Sequence, residues 1–535
     1  MNTNAGKIAL QDWDGKLRKA MVDFMNYLLS GGPLDKIVEG AQAAVEYADV
    51  HFPRGAAVRY RQSVGGIFTA WEQLCDLPGI GPNCLEQLAY LVDGLDLAKL
   101  DALVPDTTSN NRVEAFVNGP DNLRVLLEEI GRAKRYIHLS VMLFYNDRSG
   151  ALVAEALLAA LARGVKVRLM VDYGVTAFGY NKNLKVGEFG GLAEKLEKAG
   201  AKVINTFKTC YDGGEWPAKR AELAEKGVPE SHLFLQDFVQ EVMVLGLNVV
   251  NHRKFMIVDG VTSVIGSMNI GDQYTYETPI RETPGRFAQG RALGVPSGEE
   301  EWHDGCFRIR GACAGSLNRL FAFQWIVLGG DIFDPKDEFY AAQEDLHFGD
   351  EECTLVASFP GNPVNLIQSY YLSLLAHAGD ETIIVNPYLI DEKFWEQLKS
   401  LDAEQAQHIT ICNPLHVNDH PTNLAAVRSH MYRPFRKGVS FYDYSKTERF
   451  AHWKITYDKR SDCVFHGSYN INERSACHDF ELGVLVRGRA FADTVRGMIA
   501  HDLEVSERIT EDKAFFKHPA LHLTTYLNKW TKDLT

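Results

Sequence analysis

A pattern that occurs twice restricts this chain more than any other feature. The first copy is His252-Arg253-Lys254, four apolar residues, Asp259, and then Gly266-Ser267-Met268-Asn269. The second is His452-Trp453-Lys454, a short run to Asp458, and then Gly467-Ser468-Tyr469-Asn470. Each copy gathers an imidazole, an ammonium, a hydroxyl and a carboxamide at the end of a strand pair. A lone His-x-Lys on a strand is ordinarily an exposed polar pair. Repeated with its Gly-Ser-x-Asn, it implies one folding unit used twice, with the two copies face to face and a histidine on each side of a phosphodiester.

The surroundings of the motifs repeat as well. From Arg112 onward strands alternate with helices: Arg135 to Phe144 reads as a buried strand, Gly150 to Arg163 as a helix, Val165 to Asp172 as a strand, Leu192 to Ala199 as a helix and Ala201 to Asn205 as a strand. His252 to Val258 and Thr262 to Ile265 follow as a strand pair, then the strand Phe307 to Arg310 and a helix from Ala314. The same order returns from Cys353 to about Glu504. The expected fold class is therefore α/β: two duplicated α/β domains, mixed sheets flanked by helices, with the active site at their interface. The expected boundaries are 1–110 for a helical N-terminal region, 111–340 for the first domain and 341–535 for the second, with a seam near 335–350.

In the N-terminal region Trp13, Leu17, Met21, Phe24 and Leu28 recur at helical spacing, as a core stripe or as a membrane-surface helix. Leu77-Pro78-Gly79-Ile80-Gly81-Pro82 resembles a helix-hairpin-helix, whose glycine turn can offer backbone N–H groups to a phosphate; a plain helical connection uses similar glycines. Long insertions at 206–245 and 271–301 read as functional lids or as disordered segments. The second carries Arg281, Arg286 and Arg291, placed to bind a lipid phosphate or to solvate the loop.

The residue types suit phosphoryl chemistry. A phosphodiester repels nucleophiles and has a poor leaving group, so a histidine nucleophile divides the task into two displacements. A second, protonated histidine supplies the leaving oxygen with its proton and then activates the acceptor. Lys254 and Lys454 offset the phosphate charge, while Ser267, Asn269, Ser468 and Asn470 are the expected donors to its non-bridging oxygens. This chemistry requires no metal and no cofactor. The dyads His303-Asp304 and His478-Asp479 have no further metal-ligand spacing around them.

The two motifs resemble the HxKx4D signature of the phospholipase D superfamily, with its following Gly-Ser and Asn. The first matches in full. In the second only three residues separate Lys454 from Asp458, Lys459 occupies the expected aspartate position, and Lys454 to Gly467 spans 13 against 12 for Lys254 to Gly266. The resemblance runs from Arg112 to Thr510, and its flanks are similar to bacterial cardiolipin synthases: Trp302-His303-Asp304-Gly305, Asn386-Pro387-Tyr388, Glu473-Arg474-Ser475 and Asp502-Leu503-Glu504. It implies two phospholipase D-like domains and a catalytic set of His252, Lys254, Asp259, His452, Lys454 and Asp458. His252 would be the nucleophile that forms a phosphohistidine, and His452 the general acid and base. Glu481 resembles the carboxylate that orients a motif histidine, and Asp304 holds a comparable place after the first copy.

The implied activity is that of a phosphodiesterase or phosphatidyltransferase on glycerophospholipids at a membrane surface. The alternative is a nuclease of the same superfamily acting on DNA or RNA. A net charge of −14 argues against a general nucleic-acid binder, although an acidic body can carry a local basic groove. The nine cysteines are odd in number and without zinc spacing, which reads as free thiols in a reducing compartment. With no apolar signal core and no stretch reaching the roughly 18 apolar residues of a membrane span, the expected location is cytoplasmic, or peripheral on the inner face of the cell membrane.

Overall fold

The computed structural model describes residues 106–172, 189–206, 221, 224–225, 250–275, 301–327, 347–358, 365–418, 421–447, 449–477 and 479–510. The expected N-terminal helices with Leu77 to Pro82, most of both insertions including the three loop arginines, residues 335–346 of the seam, and His478 lie outside the described residues. No helix among the described residues is long and apolar enough to cross a membrane.

The first half supplies β1 (Asp106–Val117), β2 (Tyr136–Val141), β3 (Lys166–Val171), β4 (Lys202–Asn205), β5 (Phe255–Val258), β6 (Thr262–Gly266), β7 (Trp302–His303) and β8 (Gly305–Arg310). The second half supplies β9 (Glu351–Ser358), β10 (Thr382–Val385), β11 (Ile409–Asn413), β12 (Ser440–Asp443), β13 (Phe450–Ala451), β14 (Ile455–Asp458), β15 (Cys463–Gly467), β16 (Glu481–Arg487) and β17 (Glu507–Arg508). Read outward from the middle, the first half runs β1-β8-β6-β5-β2-β3-β4, and the second β9-β16-β15-β14-β10-β11-β12-β17. Strand for strand the order is the same, except that β17 at the outer edge of the second half has no counterpart among the described residues. The duplication seen in the motifs is thus a duplication of topology, as expected.

The two sheets are not separate. β1 and β9 pair antiparallel, through Asp106↔Leu355, Thr107↔Thr354, Thr108↔Cys353 and Asn111↔Glu351, so fifteen strands form one sheet. β1 begins at Asp106, inside the stretch assigned from sequence to the N-terminal helical region. Its first six residues, Asp-Thr-Thr-Ser-Asn-Asn, carry no apolar alternation. They are strand because β9 satisfies their backbone groups, which periodicity does not register.

One face of the sheet carries a core common to both halves. Phe255, Phe307 and Ile309 of the first half join Trp453, Val484 and Ile383 of the second, under the helices Ala312–Val327 and Arg489–Glu504. On the other face each half keeps its own core, one around Leu139, Leu157 and Leu169, the other around Trp395, Ile411 and Phe465. Cys306, Cys313, Cys353, Cys412 and Cys463 are buried and free.

The two hairpins explain the spacing difference between the motifs. In the first, Val258 pairs with Thr262 across a turn in which Asp259 and Gly260 both have positive φ, 53° and 70°. In the second, Asp458 pairs with Cys463, so its turn holds one more residue. Asp458 therefore stands where Val258 stands, at the last paired position of its strand: Val258 faces Ile137 and Asp458 faces Thr382. Lys459 holds the place of Asp259; its N–H donates to Glu381 O at 2.9 Å as that of Asp259 donates to Tyr136 O at 3.1 Å.

Candidate active site

Each motif histidine sits just ahead of the first strand of its hairpin, on extended backbone outside the sheet ladder. The tripeptides are anchored across the halves. The His252 N–H donates to Phe480 O at 3.0 Å, and the His452 N–H donates to His303 O at 2.8 Å. Beside them, Asn251 bridges to Phe480, and β13 pairs with β7 through Ala451↔His303. Every one of these links joins one half to the other.

The side chains cross over in the same way. His252 Nδ1 lies 2.9 Å from Glu481 Oε1 of the second half. His452 Nδ1 lies 2.8 Å from Asp304 Oδ2 of the first. Each carboxylate thus bonds the histidine of the opposite motif. Burial pushes both carboxyls up, but His252 and Lys254 outweigh it for Glu481, and His452 and Lys454 bring Asp304 down to about 2. Both carboxylates are ionised. Each accepts the Nδ1–H of its partner and leaves Nε2 as the lone-pair nitrogen, a tautomer set by the second hydrogen bond.

Burial dominates the imidazoles. It lowers His252 despite the attraction of Glu481, and with Lys454 it takes His452 down to about 3. Rings surround His452. Trp302, Phe450, Tyr274 and Tyr388 have ring centroids 4.6, 5.8, 6.1 and 6.4 Å from it. Lys254 is lowered by burial to about 8. The Nζ groups of Lys254 and Lys454 donate to the carbonyls of His252 and His452 at 2.6 and 2.7 Å, which folds each ammonium back beside its own histidine. Lys254 acts electrostatically on both imidazoles, which brings the two motifs to one place.

Four residues assigned to the site from sequence stand differently. Ser267 Oγ donates to Asp304 Oδ1, and Ser468 Oγ to Glu481 Oε2, so both hydroxyls hold the orienting carboxylates rather than facing a phosphate. Asp259 is at the far end of β5 from His252. Its Oδ1 accepts the N–H groups of Arg135 and Tyr136 at 2.8 and 2.9 Å, and its Oδ2 accepts that of Lys134 at 2.9 Å. Asp458 is at the far end of β14, where it accepts from Thr382 Oγ1 at 3.1 Å and from Ser461. Neither aspartate reaches a motif histidine. They terminate hairpins, and for that reason the shifted spacing of the second motif leaves the histidines untouched.

The two asparagines differ from each other. The side chain of Asn269 accepts from Leu143 N at 3.1 Å and donates to the Tyr274 hydroxyl at 2.8 Å. The Oδ1 of Asn470 is buried without a partner. Of the two amides, only that of Asn470 has an open acceptor.

Other participants carried no sequence signal of their role. Ser475 Oγ adds a third hydrogen bond to Glu481, at 2.5 Å. Arg253, fully buried between the motif residues, donates to Gln324 Oε1, Ser358 O and Glu481 O at 3.0, 3.0 and 3.1 Å and stacks on Phe480. Burial lowers it to about 9, and its fork ties the first motif to β9 and β16 of the second half. His303 is held between Asn118 at 2.9 Å and Asp502 at 3.0 Å, so it braces the strand that presents Asp304. Asp479 pairs with Arg474 at 3.0 Å.

Comparison with known proteins places this arrangement. A family model described as cardiolipin synthase, PLD-like domain, matches residues 126–279 and again 371–503. The cardiolipin synthase of Oceanobacillus iheyensis is 24% identical over 404 residues, covering 75% of this chain and 71% of that protein. Cardiolipin synthase 1 of Staphylococcus aureus is 27% identical over 411 residues, covering 76% and 70%. Among solved structures, a phosphatidylserine synthase of Haemophilus influenzae shares the fold with a TM-score of 0.54, at 12% identity over 79% of this chain and 95% of that one.

Proposed function

We propose that this chain, which belongs to the family of cardiolipin synthase PLD-like domains, is a metal-independent phosphatidyltransferase that acts on glycerophospholipids through a phosphohistidine. The observation that carries the mechanism is the crossed pairing of the two imidazoles with Glu481 and Asp304, which gives each a free Nε2.

In the first step His252 Nε2 attacks phosphorus, the P–N bond forms, and the P–O bond to the leaving alcohol breaks while His452 donates its Nε2 proton to the departing oxygen. The imidazolium character that builds on His252 is stabilised by Glu481. His452 is neutral in the empty site; the phosphate anion and Asp304 favour its protonated form once substrate is bound. In the second step an acceptor hydroxyl gives its proton to His452 and attacks phosphorus, and the P–N bond breaks to restore His252. Lys254 and Lys454 face the non-bridging oxygens. With an alcohol as acceptor the reaction is transfer; with water it is phospholipase D hydrolysis. The two phospholipids implied by a cardiolipin synthase reading are both phosphatidylglycerol, at a membrane surface. The domain limits 111–340 and 341–535 belong to this reading, with the first shifted to include Asp106.

The test is mass spectrometry of products from phosphatidylglycerol vesicles in EDTA, with His252→Ala and His452→Ala alongside. Cardiolipin formed by the unaltered protein alone is the expected result. Absence of both cardiolipin and phosphatidic acid would overturn the lipid reading. The same preparations would then go onto single- and double-stranded DNA.

A further inference from the structure

The surroundings of the two histidines are unlike. Around His252 the described groups are polar: Glu481, with Ser468 and Ser475 behind it. Around His452 they are aromatic, with Trp302 nearest at 4.6 Å between centroids. Trp302 is wedged between Phe450 at 5.0 Å and Tyr274 at 4.8 Å, and β7–β13 pairing fixes its backbone opposite Phe450. Its ring is therefore held in one position.

The Trp302 Nε1–H is buried and has no hydrogen-bond partner. An indole nitrogen is a donor only, and buried donors are normally paired. Trp395, elsewhere in the second half, shows the ordinary solution, with its Nε1–H donated to Leu389 O at 2.9 Å. The other unpartnered indole, Trp453, packs over Gly305 in the core shared by the halves, beside His303 rather than His452. Among the described residues, Trp302 alone places an unused N–H donor in the ring of groups around the histidine that handles the acceptor's proton.

We propose that Trp302 determines acceptor specificity in favour of a vicinal polyol: its Nε1–H donates to the hydroxyl oxygen next to the one that attacks. This rests on the transferase reading above. His452 takes the proton of the attacking hydroxyl, that oxygen bonds to phosphorus as the P–N bond to His252 breaks, and the neighbouring hydroxyl stays intact on Trp302. Water has no second hydroxyl, so it is held less well.

The experiment measures the ratio of transfer to hydrolysis products with glycerol and, separately, with 1-propanol as acceptor. The variants are Trp302→Phe and a chain carrying benzothienylalanine at 302, in which sulfur replaces the N–H in an isosteric ring. Phosphoenzyme formation is followed in parallel by acid quench. With glycerol the ratio is expected to fall about five- to tenfold in both variants, the loss of one neutral hydrogen bond. With 1-propanol it is expected to stay unchanged. An unchanged glycerol ratio, or an equal fall for both alcohols, would overturn the assignment. A wild-type chain that forms no phosphoenzyme would instead overturn the reading beneath it.

Discussion

Replacing Glu481 by Gln removes a charge without changing shape, and the crossed pairing makes its effect specific. Glu481 Oε1 is 2.9 Å from His252 Nδ1 in a site closed to solvent. Charge centres roughly 4 Å apart interact by about 4 kcal/mol at an effective dielectric of 20, and a charge-assisted hydrogen bond contributes about 1.5–3 kcal/mol net. That stabilisation is needed when His252 becomes cationic in attacking phosphorus. Glu481→Gln should therefore slow phosphoenzyme formation about 10²- to 10³-fold. Asp304→Asn should slow turnover of a phospholipid by a comparable factor, but through His452. A substrate with a good leaving group separates the two, because a p-nitrophenyl phosphodiester needs no proton on its departing oxygen. Single-turnover acid quench with that substrate should show Asp304→Asn restored to within several-fold of the unaltered protein, while Glu481→Gln remains slow. If both variants recover, or neither does, the assignment of each carboxylate to the opposite histidine is wrong.

Three further outcomes follow from the geometry. Asp259→Ala strips the acceptor from three backbone N–H groups at a hairpin distant from His252; urea unfolding should show a loss of about 1–3 kcal/mol with kcat per folded molecule unchanged. Lys254, lowered to about 8 by burial, is charged below that pH and neutral above it, so kcat/KM should fall on an alkaline limb near pH 8 rather than near 10.5. On the acid side the unfolded chain takes up protons from about pH 6.5 downward that buried His252 and His452 refuse, and Asp304, held at about 2, adds to the loss below about pH 4. Tm measured from pH 7 to pH 4 should therefore decline steadily, and the decline should be shallower in His452→Gln.

The parts of this site legible in the sequence were those whose chemistry is local. The histidines and lysines and the repeated order of elements follow from residue type and from repetition, and the two carboxylates from the family resemblance. Which carboxylate serves which histidine was not legible, because Glu481 lies 29 positions from His452 and yet bonds His252. The serines were misread for a related reason. A hydroxyl beside a motif looks like a ligand donor until a buried carboxylate is found to take it. Asp259 was misplaced because four residues of strand separate it from Lys254, a length that carries it to the other end of the sheet. The single continuous sheet was invisible for a different reason. β1 and β9 join through backbone groups, which every residue carries.

The crossed carboxylates have a bearing on how such a chain comes to differ between its halves. Two identical copies of either half, packed about a two-fold axis, would satisfy the same cross-links, since residue i of one would meet residue j of the other and the reverse. Both histidines would then be bound to sit in identical surroundings. Joining the copies in one polypeptide lifts that obligation while keeping the mutual dependence: one acid can be aspartate and the other glutamate, one amide can be tied to a tyrosine and the other left open, and aromatic rings can gather on one side alone. A catalyst that must give and receive in turn has use for two faces that are no longer alike.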